Sequence, residues 1–145
     1  MAHSRDVRVL AEHNLLASLL ILDEPEFVLD VSSIICPKDF HDFAYSPPMN
    51  QHSRIFIAMQ TLSTFGEQIN QVTVATKLYE SIKESHGGDM GCRNVSDIAE
   101  MSLMMSESGT ALDYLEYAKA VAQLANPKGI KRPGPSISLP LNPRR

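Results

Sequence analysis

Apolar residues along this chain recur at spacings of three and four and seldom alternate, which is the pattern of amphipathic helices and predicts an all-α fold. From Ser4 or Asp6, either of which can cap, Val7, Leu10, Ala11, Leu15, Ser18, Leu19 and Leu22 share one broad face of a helix ending near Leu22. The second half of that helix is apolar nearly all round, so it is expected at the centre of the bundle. Pro25 supplies the first-turn φ of a second helix, whose buried stripe is Phe27, Val28, Val31, Ile34 and Ile35. Pro37-Lys38-Asp39-Phe40 predicts a single turn that wedges Phe40, with Phe43 as a second candidate, onto the core. Pro47-Pro48 then marks a loop, since the pair cannot lie inside a helix.

Helix resumes near Gln51, where His52, Ile55, Phe56, Met59 and Leu62 form the clearest stripe in the chain, and Gly66 closes it as a C-terminal cap. Asn70 caps another helix to about Glu84, expected to bury Val72, Ala75, Leu78, Tyr79 and Ile82. A glycine-rich loop from His86 to Gly91 follows. Asn94 with Asp97, and Thr110 with Asp113, resemble capping boxes that use Asp where Glu or Gln is usual. They predict two helices folded across Glu107-Ser108-Gly109 into an αα-hairpin, with Ile98, Met101 and Met105 facing Leu112, Leu115, Ala118, Val121 and Ala122. Leu103, Met104, Tyr114 and Tyr117 fall on other sides, so the hairpin is expected to have apolar surface to spare. The expected organisation is a compact helical domain over residues 1–125, with a head to about 92 and a protruding C-terminal hairpin from about 94 to 125. A disordered, basic, Pro-rich tail over 126–145 completes it.

Charge sharpens that division. The net charge is −4, yet Lys128, Lys131, Arg132, Arg144 and Arg145 all follow Asn126, where no acid occurs. The 17 acids therefore face only eight of the 13 bases in the body, which repels phosphate; nucleic-acid contact is expected only weakly, through the tail. A hydrophobic fraction of 43% allows a core without disulfide or metal staples. Two cysteines far apart, Cys36 and Cys92, read as reduced thiols. With no apolar run approaching the ~20 residues of a bilayer span and no signal-peptide pattern at the start, the expectation is a cytoplasmic chain with no membrane partner.

Candidate chemistry is sparse. The glycines at 87–91 lack the lysine and the preceding strand of a phosphate loop, so neither ATP binding nor any other cofactor is expected. His86, Asp89 and Cys92 have no second ligand pair nearby, so no metal is expected either. No nucleophile elbow or zinc-protease motif occurs, and no catalytic residue is assigned. His52 reads as a helix-start histidine bonding a neighbouring loop. Met101, Met104 and Met105 suit either core filling or an adaptable contact surface.

Taken in order, several segments resemble the N-terminal domain of DnaB-type replicative helicases. Ala11-Glu12-His13-Asn14-Leu15-Leu16-Ala17-Ser18-Leu19-Leu20 is similar to that family's opening Ala-Glu-x-x-Leu-Leu-Gly-x-Leu-Leu, with Ala17 in the glycine position. Pro37-Lys38-Asp39-Phe40 is similar to its Pro-x-Asp-Phe turn, and His52-Ser53-Arg54-Ile55-Phe56, with Leu62 to Gly66, to its His-x-x-Ile-Phe helix and Leu-x-x-x-Gly. Ile69-Asn70-Gln71-Val72-Thr73 follows its Ile-Asp-x-x-Thr segment with Asn70 for aspartate, and Tyr117-Ala118 with Val121 its Tyr-Ala-x-x-Val. The resemblance spans about residues 9–125. It departs in a longer loop around Tyr45 to Asn50, in the placement of Gly87-Gly88, and in lacking the family's linker helix and ATPase domain; the chain is expected to be an excised module or a stand-alone protein.

The resemblance implies a non-catalytic collar module in DNA replication. Such modules pair through head and hairpin, form three dimers on a hexameric ring, and contact DnaG-type primase or a loader. Self-association, helicase subunits and primase are therefore the expected partners, with Ile98, Met101, Met104, Leu115 and Val121 as the expected interface. Two alternatives accompany it: a phage or mobile-element regulator that binds a host helicase, and a weak nucleic-acid binder acting through the tail.

Overall fold

The computed structural model describes residues 4–46, 49–86, 91–108 and 113–127. Six α-helices and one 3-10 turn are seen among them, with no strand: α1 (Ser4–Leu22), α2 (Pro25–Ser32), the turn Pro37–Asp39, α3 (Gln51–Thr64), α4 (Gln71–His86), α5 (Gly91–Ser108) and α6 (Tyr114–Ala125). None of these helices is long and apolar enough to cross a membrane.

The all-round apolar stretch of α1 does sit at the centre. Leu15, Leu16, Ala17, Leu19 and Leu20 are buried, and Ser18 is tolerated there because its hydroxyl donates to Asn14 O at 2.8 Å. Val28, Val31 and Ile35 come in from α2 and its exit, Phe40 from the 3-10 turn, Ile55, Phe56, Met59 and Leu62 from α3, and all join one cluster. Phe40 stacks obliquely on Phe56 with ring centroids 5.1 Å apart, while Phe43 stays out in solvent.

Helix ends follow the expected local chemistry. Gly66 adopts φ 69°, and the pair of bonds Glu67 N–H to Leu62 O and Gly66 N–H to Ser63 O, both 3.0 Å, makes a Schellman cap. Asn70 Oδ1 accepts from Val72 N and Thr73 N at 3.0 Å, and Thr73 Oγ1 returns the favour to Asn70 N, also at 3.0 Å. The inward stripe of α4 is Val74, Ala75 and Leu78; Val72 and Tyr79, expected inside, are exposed, and Ile82 lies outside the described side chains.

The C-terminal third differs most from expectation. α5 begins at Gly91, so Asn94 is inside the helix and not at its cap, and α6 begins after Asp113; Thr110 and Leu112 lie outside the described residues. Instead of zipping together, α5 and α6 each pack mainly on α1. Met101 and Met104 of α5, and Ala118 and Val121 of α6, are members of the same core cluster as the α1 leucines. Packing therefore runs through the expected head boundary near residue 92 without a break. The physical reason is that α1 offers apolar surface on every side, and covering it uses the stripes that a free-standing hairpin would have turned on itself. The tail from residue 128 lies outside the described residues.

Candidate functional site

Polar residues interrupt the centre of α1 at Glu12, His13 and Asn14. Glu12 and His13 are both buried, and neighbouring helical positions point roughly 100° apart, so they address different partners. A carboxylate in such a place is costly unless its charge is paired and its oxygens are hydrogen-bonded. Glu12 meets that condition through the loop after Pro37 and the start of α3. His41 N–H donates to Glu12 Oε2 at 2.7 Å, while His41 Nδ1 and His52 Nδ1 reach Glu12 Oε1 at 2.6 and 2.7 Å.

His13 addresses α5. Its Nε2 lies 2.9 Å from Glu100 Oε2 and its Nδ1 3.1 Å from Glu107 Oε1, and His52 Nε2 approaches the same Glu100 oxygen at 3.4 Å. The positions 97, 100, 101, 104 and 107 share the inner face of α5 by their three- and four-residue spacing, so Asp97 and the two glutamates flank the buried Met101 and Met104. One ring, His52, thus joins the Glu12 half of the cluster to the Glu100 half.

Burial by itself pushes the Glu12 carboxyl upward, but the hydrogen bonds from His41 and His52 outweigh it and hold the group below the usual carboxylate range. Burial also opposes a charge on His52, yet Glu100, Glu12 and Asp42 together raise it to about 9. Glu100 is lowered to about 2, first by its hydrogen bond to His13 and then by that to His52.

Two further carboxylates finish the frame. Asp42 caps α3 from outside the helix, accepting from His52 N and Ser53 N at 2.8 and 3.1 Å, a task the adjacent Asn50 side chain does not perform. Asp97 is buried and receives Arg54 through Nη2 at 3.1 Å and Nη1 at 3.3 Å, as well as Gln51 Nε2 at 2.7 Å. It is an anchor between α5 and α3 and not the capping residue its spacing suggested. His52 bonds the neighbouring loop through its backbone N–H, to Asp42, while its ring bonds two glutamates.

Chemically, the cluster is a store of paired charge that pins α5 to α1 and α3. Its donors also fall into two sets with metal-ligand spacing, Glu12 with His41 and His52, and His13 with His52 and Glu100. Neither set was visible as a motif, since each residue comes from a different element. The signal that could have found them is the Glu12-His13 pair beside the apolar run from Leu15 to Leu22, where burial demands partners. The triad His86, Asp89 and Cys92 lies outside the described side chains, and Cys36 is a buried free thiol.

The five residues expected at an interface separate into two groups. Met101 and Met104 are fully buried and Val121 is 2% exposed, so these three are core residues and offer a partner nothing. Ile98 and Leu115, 37% and 38% exposed, remain on the surface but on different helices. Ile98 lines a shallow groove between α4 and α5 with Gln71, Val72, Ala75, Thr76 and Tyr79, and Val72 there is 73% exposed.

The class defined by this architecture is an all-helical domain wound on one central helix and fastened by buried polar pairs. Its opening motif and its His-x-x-Ile-Phe helix meet in the Glu12–His52 contact. The family model of the DnaB-like helicase N-terminal domain matches residues 5–123, and the chain belongs to that family. It is a helicase-associated module, and the matched region corresponds to the N-terminal domain alone. No match is found among curated proteins or among solved structures.

Proposed function

We propose that this domain is a non-catalytic collar module of a replicative DNA helicase, which associates with copies of itself and offers a docking face to helicase, primase or loader. The observation that carries the reading, beside family membership, is the groove between α4 and α5. Val72, Tyr79 and Ile98 expose apolar surface side by side around a concave strip, although the chain has closed its own core without them. Grouped apolar exposure of this kind marks a protein contact surface, whereas single exposed residues do not. Leu115 is a second, separate candidate on α6.

Light scattering on the chain at high micromolar concentration tests self-association. A dimer or larger species is expected, and Val72→Asp with Ile98→Asp should return it to monomer with helical content unchanged. A wild-type chain that stays monomeric at that concentration rules out the self-assembling reading. Pull-down by full-length helicase and by primase, each compared with the double variant, then tells which partner shares the groove.

A further inference from the structure

We propose that His13, His52 and Glu100 form a binding site for a divalent transition-metal ion, zinc foremost, that clamps α5 onto α1 and α3. The three come from three helices, and their ligand atoms all lie within 4.8 Å of one another.

The spacing accommodates one shared ion in place of part of the hydrogen-bond network. Zinc holds nitrogen and oxygen ligands at about 2.0–2.1 Å, so two ligands of a tetrahedral ion sit roughly 3.3 Å apart. The two imidazole Nε2 atoms converge on a single oxygen, Glu100 Oε2, at 2.9 Å from His13 and 3.4 Å from His52. The second distance is long for a charge-assisted hydrogen bond, which prefers about 2.7–2.9 Å, but ordinary for two atoms bound to one ion.

The outer partners point the same way. A metal-bound histidine nearly always gives its other ring nitrogen to a carboxylate or carbonyl, which fixes the ring and strengthens the ligand. Both histidines have this arrangement, His13 through Nδ1 to Glu107 Oε1 at 3.1 Å and His52 through Nδ1 to Glu12 Oε1 at 2.7 Å. Oxygen lone pairs thus face both nitrogens of each ring, and every such contact needs a hydrogen or a metal between the atoms. One divalent ion in place of two Nε2 hydrogens leaves the net charge of the cluster unchanged.

The alternative set, Glu12 with His41 and His52, is the poorer site. Its glutamate side chain is 1% exposed, so no solvent ligand could complete the coordination, whereas Glu100 is 22% and Glu107 50% exposed. The outer set is therefore the one solvent reaches, through Glu100, and a three-ligand zinc site takes its fourth ligand from solvent.

The test uses the full chain, stripped of metal and dialysed against zinc, with bound zinc counted by mass spectrometry and affinity read by competition with a chelator. About one zinc per chain is expected. Glu100→Gln, whose side chain reaches the surface and so spares the fold, should weaken binding by more than the roughly 10- to 100-fold that losing an outer partner costs. Glu107→Gln should fall within that smaller range. His41→Gln, which touches the ligand His52 only through Glu12, should weaken binding no more than Glu107→Gln does, and His13→Asn, checked for helical content, should not bind. No uptake by the parent chain, or uptake unaffected by Glu100→Gln, overturns the proposal. Loss on His41→Gln with retention in Glu100→Gln also overturns it, by moving the ion to the inner set.

Discussion

Arg54 and Asp97 meet side by side, each nitrogen of the guanidinium fork on its own carboxylate oxygen, at 3.1 and 3.3 Å. The Asp97 side chain is 1% and the Arg54 side chain 12% exposed, so the pair is withheld from water and from salt screening. Removing one partner of such a pair strands the other charge, which costs about 3–5 kcal/mol when fully buried. Asp97→Ala should therefore lower the unfolding free energy in urea by about 3 kcal/mol. Arg54→Met combined with Asp97→Leu should recover much of that loss, and a double variant as unstable as the single one would show that the pair itself, not the stranded charge, sets the cost.

Asn70 performs two tasks at once. Its Oδ1 caps α4, and its Nδ2 donates toward Asp23 Oδ1 and Oδ2 at 3.3 and 3.4 Å. Asp23 sits at φ 55°, a left-handed conformation that Asp and Asn tolerate better than most residues. Asn70→Asp keeps the cap but sets two carboxylates against each other, a repulsion of about 1 kcal/mol at such a separation in a watery setting. The loss should shrink in high salt and vanish when Asp23→Asn is added. Asn70→Ala should cost about 1 kcal/mol whatever the salt, because it removes the cap itself.

How much of this was legible depended on how local the cause is. The C-terminal end of α1, the Gly66 cap and the Asn70 cap are decided by residues within one turn of each other, and the sequence pattern located them. The expected face of α4 was right for Ala75 and Leu78 and wrong for Val72 and Tyr79, because Val72 with Tyr79 makes as good a helical stripe as Val74 with Leu78, and periodicity cannot say which one turns inward. The same ambiguity made Met101, Met104 and Val121 look like contacts for another chain, when α1 had surface waiting for them. The polar cluster was out of reach for a different reason: His41 and His52 lie 29 and 40 residues from Glu12, and Glu100 and Glu107 lie 87 and 94 from His13. A spacing rule has no purchase at that range.

The metal-free chain should be most stable in mildly acidic solution. His52 is raised from 6.5 to about 9 by Glu100, Glu12 and Asp42 against the opposing effect of burial, so its contribution is complete below 6.5 and is lost as pH rises through 9. Glu100 is lowered from 4.5 to about 2, so its contribution is complete above 4.5 and is lost as pH falls through 2, and Glu12 moves in the same direction. The window of overlap runs from 4.5 to 6.5. Urea midpoints of chelator-treated protein should decline between pH 6.5 and 9, and His52→Gln should flatten that slope. A parent profile already flat across this range would mean that His52 is not held in its charged form.

Met101 and Ile98 stand three residues apart on α5 and meet different surroundings, Met101 fully buried in the core and Ile98 37% exposed beside the α4 groove. Truncating a buried methionine loses its transfer energy and leaves a cavity, about 2–5 kcal/mol, while surface truncations mostly stay within about 0.5 kcal/mol. Met101→Ala should therefore destabilise the isolated domain several times more than Ile98→Ala in chemical denaturation. Measuring at concentrations low enough to keep the chain monomeric matters, because association would lend Ile98 a stability it does not have within one chain. If both residues instead faced a partner from a protruding hairpin, their monomer losses would be similarly small. A small Met101→Ala effect under those conditions would remove α5 from the core and reopen the hairpin arrangement.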